Sequence, residues 1–149
     1  MGGSWMKVMA VGVFDLLHAG HLHYLEQAKE LGTHLTVVVA HDDTVRIRKH
    51  EPVTNHGLRK RMVEGLKPVD TAIIGNSPDV SIYEILKVVN PDVIALGYDQ
   101  EHAEDSIRQK LQDLGLGNIT VTRVEGLSDD LDGTRKIIAR ILELSRKDE

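Results

Sequence analysis

Two histidines, His18 and His21, stand three residues apart around Ala19-Gly20, just beyond the nearly unbroken apolar run from Lys7 to Phe14. If the chain has begun to turn into a helix there, residues at that spacing project to the same side. Two imidazoles so placed can donate hydrogen bonds to oxygens that gain charge as a phosphorus atom is attacked. Gly12 lets a ligand approach the strand end closely, and Gly20 allows a phosphate to sit against the N–H groups of the first helical turn. The same residues also support a plainer role, in which His18 caps the turn and His21 fills a gap. A third histidine, His23, invites a metal reading, but at ~100° per residue it lies about 200° around a helix from His21, so the three do not converge on one ion.

These residues need a frame. Lys7 to Phe14, closed by Gly12 and Asp15, reads as a strand buried on both faces. Gly20 to Leu31 places Leu22, Leu25, Ala28 and Leu31 on one helical face, with Gly32 as a stop. Leu35 to Ala40 is a second strand, followed by a polar turn at His41-Asp42-Asp43 and a loop containing Pro52. Leu58 to Leu66 is a helix ended by Pro68. Thr71 to Ile74, Ser81 to Val89 and Asp92 to Leu96 repeat strand, helix, strand; Ala103 to Leu114 is a helix, Ile119 to Val124 a strand and Thr134 to Leu144 a last helix. This alternation predicts an α/β fold, a single doubly wound domain on a five-stranded parallel sheet, without internal repeat or linker.

The bulk numbers agree and exclude several classes. A chain of 149 residues fits one domain, 41% hydrophobic and 28% charged, and no apolar run approaches the ~20 residues that span a bilayer. A net charge of -5 argues against a nucleic-acid partner. The absence of cysteine removes disulfides, thiolate ligands and a Cys nucleophile, with the cytoplasm as the default location.

The stretch Gly12-Val13-Phe14-Asp15-Leu16-Leu17-His18-Ala19-Gly20-His21 resembles the cytidylyltransferase-like superfamily, whose signature is a strand ending in T/V-F-D followed by HxGH. The resemblance runs from Lys7 to Leu142 and is closest to the archaeal FAD synthases, through Val37 to Val45, Arg61 to Asp70 and Leu96-Gly97-Tyr98-Asp99-Gln100. It implies a nucleotidyltransferase domain over residues 7–149 behind a flexible leader or cloning remnant at residues 1–6, transferring AMP from ATP to FMN with release of pyrophosphate. It also implies that His18 and His21 bind the triphosphate and stabilise the transition state, with Val13, Phe14, Ala19 and Gly20 as triphosphate contacts. Magnesium carried by triphosphate oxygens, rather than by protein ligands, is the expected metal. A homodimer is expected as well.

Other site residues follow from position and resemblance together. Asp99 can accept from a ribose hydroxyl or base amine, or cap the next helix; Tyr98 can stack on a base or cover the sheet edge. Arg48, Arg59 and Arg123 are candidates for the acceptor or its phosphates, whereas Lys49 and Lys60 read as solvated. Thr134 and Arg135 open the last helix and offer donors to phosphate, Thr134 being preferred to Ser128 because the insert Asp129-Asp130-Leu131-Asp132 separates Ser128 from the helix. Two other readings remain: CTP-dependent transfer to a polyol phosphate such as glycerol 3-phosphate, and a non-catalytic nucleotide-binding module. The low aromatic content, 3%, leaves an apolar wall of Leu, Ile and Met to hold a flavin.

Overall fold

In the computed structural model, which describes residues 5–98, 101–127 and 134–147 (without the side chains of Ile82, Glu101, His102 and Thr134), the chain alternates strand and helix as expected. The strands are β1 (Lys7–Gly12), β2 (His34–Val39), β3 (Thr71–Ile74), β4 (Val93–Leu96) and β5 (Thr120–Arg123). The helices are α1 (Ala19–Glu30), α2 (Asp42–Arg48), α3 (His56–Glu64), α4 (Ile85–Val89), α5 (Glu101–Asp113) and α6 (Thr134–Lys147). All strands are parallel, in the order β3-β2-β1-β4-β5. Strand order therefore reverses beside β1, and such a switch point opens a crevice at the carboxyl ends of the strands.

The strands are apolar on both faces because each face is covered. On one, Val8, Ala10, Leu35, Val37 and Val39 pack with Leu25 and Ala28 of α1 and Val63 of α3. On the other, Met9, Val38, Ile94 and Val121 meet Ile85, Leu86 and Val89 of α4 and Leu111 of α5. This is the doubly wound arrangement. Among the described residues no helix is long and apolar enough to cross a membrane.

Three local readings change. The first strand stops at Gly12, two residues early, because Phe14 and Leu16 take left-handed backbone with φ of 58° and 55°. The polar turn after β2 is a helix, α2, whose only buried side chain is Val45. The helix expected from Ser81 begins as a 3-10 turn over Ile82–Glu84 and becomes α-helical at Ile85. Of the leader, Met1 to Ser4 lie outside the described residues. Met6 is stitched to the domain, its carbonyl accepting from the Thr33 and His34 N–H groups, and the Trp5 ring stands 5.1 Å from that of His34.

A tyrosine holds the switch point open. β1 pairs with β4 only over Val8 to Ala10, and beyond that the Tyr24 hydroxyl enters the gap, accepting from the Val11 N–H at 3.3 Å and donating to the Ala95 carbonyl at 2.6 Å. It satisfies two backbone groups that the diverging strands leave to each other. Tyr24→Phe is expected to destabilise the fold by about 1–3 kcal/mol through these groups, measured by urea unfolding; a variant as stable as wild type would refute the role.

Candidate active site

The turn from β1 into α1 is built around Phe14. Its ring, 2% exposed, lies where a Cβ on Gly12 would be, 2.7 Å from the nearest ring carbon, so only glycine fits at residue 12. Left-handed backbone at Phe14 and Leu16 costs roughly 1–2 kcal/mol per residue and persists because the surrounding packing fixes it. The result sets the start of α1 over the carboxyl end of β1.

There His18 and His21 cap the helix reciprocally. His18 Nδ1 accepts from the Gly20 N–H at 3.1 Å, and His21 Nδ1 accepts from the His18 N–H at 3.3 Å. The two readings of the pair are therefore compatible, since His18 is a cap and its ring also stacks on that of His21, centroids 3.8 Å apart and 23° from parallel. An imidazole whose Nδ1 accepts carries its proton on Nε2. Both rings thus present an Nε2–H donor while neutral. His21 is held neutral by burial, which with the charges of His18 and Lys49, and against Asp15, lowers its pKa from 6.5 to about 4. The Gly20 N–H, expected to meet a phosphate, is engaged by His18 instead.

The loop facing this pair is clamped by two buried ionic groups. Asp15 accepts from the Val53 N–H at 2.7 Å, the Thr54 N–H at 3.1 Å and the Thr54 hydroxyl at 2.7 Å. Burial alone would raise its pKa, but these donors and the Arg59 charge outweigh it and hold the carboxyl below its usual value. Arg59 is a correction. Expected among the acceptor-binding cations, it is 1% exposed and directs its guanidinium to the carbonyls of Thr54, Val13 and Ala40 at 2.8–2.9 Å and to the Asp42 carboxylate at 2.6 Å. Its role is structural: it ties the ends of β1 and β2 to α2 and to the loop.

The remaining candidates spread along the same rim. Arg48 is exposed at the end of α2. Lys49, read as merely solvated, is near enough to His21 to act on its pKa. Arg123, at the end of β5, donates to Glu104 at 2.7 Å and to the Tyr98 carbonyl at 3.2 Å. The Tyr98 ring lies where a Cβ on Gly126 would stand, yet Tyr98 remains 54% exposed, so it covers the sheet edge and still offers surface to a ligand. Arg135 is exposed in the first turn of α6. Asp99, Gln100, Ser128 and the Thr134 side chain lie outside the described residues. Among the described residues no group of three or more His, Asp or Glu side chains is placed to hold a metal ion. His23 turns inward, its Nε2 buried without a partner.

Residues 9–131 match the family model described as cytidylyltransferase-like. The chain belongs to this family. Over 139 residues this cytidylyltransferase-like chain is 46% identical to the FAD synthase of Aciduliprofundum boonei, covering 93% of the chain and 91% of that protein. Over 143 residues it is 46% identical to the FAD synthase of Methanohalobium evestigatum, covering 95% and 93%. The crystal structure of the lipopolysaccharide core biosynthesis protein from Thermoplasma volcanium is similar in fold, with a TM-score of 0.78 and 38% identity over 84% of this chain and all of that one.

The depressed pKa of His21 has a stability consequence. Its folded value, about 4, lies below the unfolded value of 6.5, so the unfolded chain binds the proton more tightly. The contribution of neutral His21 is whole above pH 6.5 and is lost as pH falls towards 4. Urea unfolding followed across this interval should show a smaller decline in stability for His21→Gln than for wild type; equal slopes would contradict the assignment.

Proposed function

We propose that this cytidylyltransferase-like chain is an FMN adenylyltransferase, making FAD and pyrophosphate from ATP and FMN. The observation that carries the chemistry is the reciprocal cap, which leaves two stacked imidazoles with Nε2–H donors at the switch point of the sheet. The acceptor follows from the relatives named FAD synthase, which match nearly the whole chain. A phosphate oxygen of FMN forms a bond to the α-phosphorus of ATP as the bond from that phosphorus to the bridging oxygen breaks, and pyrophosphate leaves with the electron pair. His18 and His21 donate to the non-bridging oxygens of the α-phosphate as these gain charge. Because each acts by donating a hydrogen bond through Nε2–H, neither needs to lose or regain a proton in the step.

The other contacts belong to the same proposal. Val13, Phe14, Ala19 and Gly20 border the triphosphate; Phe14 does so through its backbone, its ring being buried. Arg135, Asp99 and Thr134 serve the nucleotide, while Arg48, Lys49 and Arg123 offset charge repulsion between the two anionic substrates. Arg59 acts on that group only through the loop it clamps. Triphosphate chemistry of this kind typically uses a divalent cation, which we take to be magnesium carried on phosphate oxygens. We also propose a homodimer, supported by the exposed Leu58 and Met62 on α3 and Ile138, Ile141 and Leu142 on α6, and a cytoplasmic location, in keeping with a chain that has no cysteine.

Incubation with magnesium, each nucleoside triphosphate, and FMN or glycerol 3-phosphate, read out as pyrophosphate, should give product with ATP and FMN. His21→Ala should lower that turnover by ~10²-fold or more. Product from CTP and glycerol 3-phosphate alone would support a polyol-phosphate cytidylyltransferase, and no product from any pair would support a non-catalytic binding module.

A further inference from the structure

One carboxylate stands where the packing of α5 calls for an apolar side chain. Glu104 lies three residues before Ile107 and seven before Leu111, both of which α5 turns into the core, and positions so spaced share one face of a helix. Its side chain is only 17% exposed, held in the seam between α5 and the edge strand β5. Two arginines meet it there. Arg123 Nε donates to Oε2 at 2.7 Å, and Arg108 Nη2 stands 2.7 Å from Oε1 while also donating to the Val121 carbonyl at 2.7 Å. Four residues of helix rise ~6 Å and two residues of strand ~6.6 Å. The steps match, so Glu104 and Arg108 meet residues 123 and 121 of β5 in register. The Arg123 hydrogen bond above all, joined by the Arg108 charge, holds the Glu104 carboxyl below its usual pKa although burial opposes this.

We propose that Glu104 is a positioning residue, which fixes the Arg123 guanidinium so that its remaining N–H groups meet a substrate phosphate. The proposal rests on the FMN adenylyltransferase reading, in which Arg123 offsets substrate charge, and adds what aims that arginine. A guanidinium carries its N–H donors in one rigid plane. Glu104 takes the Nε–H and the Tyr98 carbonyl takes an Nη1–H at 3.2 Å, so anchors from two segments fix both its direction and its plane. Among the described residues Nη2 has no partner, and the Arg123 side chain is 36% exposed. The same anchors tie the loop after β4 to the loop after β5, since the Tyr98 ring also lies against Gly126. Without Glu104, Arg123 keeps only the longer bond to Tyr98, and its charge spreads over the many rotamers of a long side chain. One carboxylate between two arginines leaves the cluster positive, so the anchor does not cancel the field that a phosphate meets.

The test uses the full chain with magnesium, ATP and FMN. Alanine is a good helix former, so Glu104→Ala keeps α5; its turnover should fall ~10-fold or more through loss of aim, and Glu104→Gln, which retains an acceptor for the Nε–H, should fall less. In an Arg123→Ala background Glu104→Ala should cost nothing further, because it acts only through that arginine. A second readout does not depend on turnover: the NMR signal of the Arg123 Nε–H should be protected from solvent exchange in wild type, shift when magnesium with ATP, or FMN, is added, and be lost in Glu104→Ala. If wild type makes FAD and Glu104→Ala works as fast, or loses as much with Arg123 absent as with it present, the positioning role is overturned and the proposed activity stands. If wild type makes no FAD while that signal still responds to a substrate and needs Glu104, the activity falls and the positioning role stands. A signal that neither substrate moves overturns the proposal, whether or not FAD is made.

Discussion

Arg59 reaches from α3 under the carboxyl ends of β1 and β2, and there its guanidinium gathers three carbonyls and the carboxylate of Asp42. A charge this deeply buried is tolerable only because its planar fork matches so many acceptors at once; a lysine would present a single point of charge and leave most of them unpaired. Everything on the β1–β2 side of the rim is registered against it. Val13 and Ala40 end their strands on it, α2 starts on it through Asp42, and the loop through Thr54 is drawn inward, where Asp15 takes hold of the next pair of N–H groups. The Asp42 carboxyl, which burial alone would push up, is kept low by Arg59 and His56. Two opposite charges, each attached to a different segment, thus fix a loop that has little apolar surface of its own to bury.

The layered fold was legible in the sequence because it rests on hydrophobic runs. Leu35 to Ala40 reads as a strand, and the structure buries Leu35 to Val39. α2 was not legible for the complementary reason: it buries only Val45, and its first turn is held by His41 and His56, one of them fourteen residues away in the chain. Periodicity carries no trace of a helix stabilised by side chains from another segment. Chain ends of elements failed where backbone conformation departs from side-chain pattern, as at Phe14, an apolar residue that continues the run in sequence but has left the strand in space.

The site divides along the same line. That His18 and His21 share a side could be read from their spacing, and their place at the end of β1 from the apolar run before them. Which nitrogen holds each proton could not, since it depends on the backbone groups that Nδ1 meets. Arg59 shows the limit most plainly. An arginine beside a basic loop has the composition of a phosphate contact, and only the convergence of carbonyls from three segments turns it into a strut. Lys49 is the reverse case, a residue with the look of solvent-exposed filler that lies close enough to bear on the His21 imidazole.

The cap at the start of α1 ties two properties that proteins usually keep apart. Helix initiation is commonly left to serine, threonine, asparagine or aspartate, which can exchange with one another without touching chemistry elsewhere. Here the proximal nitrogen of each ring starts the helix, and the distal nitrogen of the same ring is the one the proposed reaction would use. A short acceptor such as asparagine at residue 18 would keep the first function and abolish the second, whereas an aliphatic residue would remove both. Sequence drift at this turn is therefore channelled: lineages that abandon the chemistry can do so without abandoning the fold only through that narrow set of polar replacements.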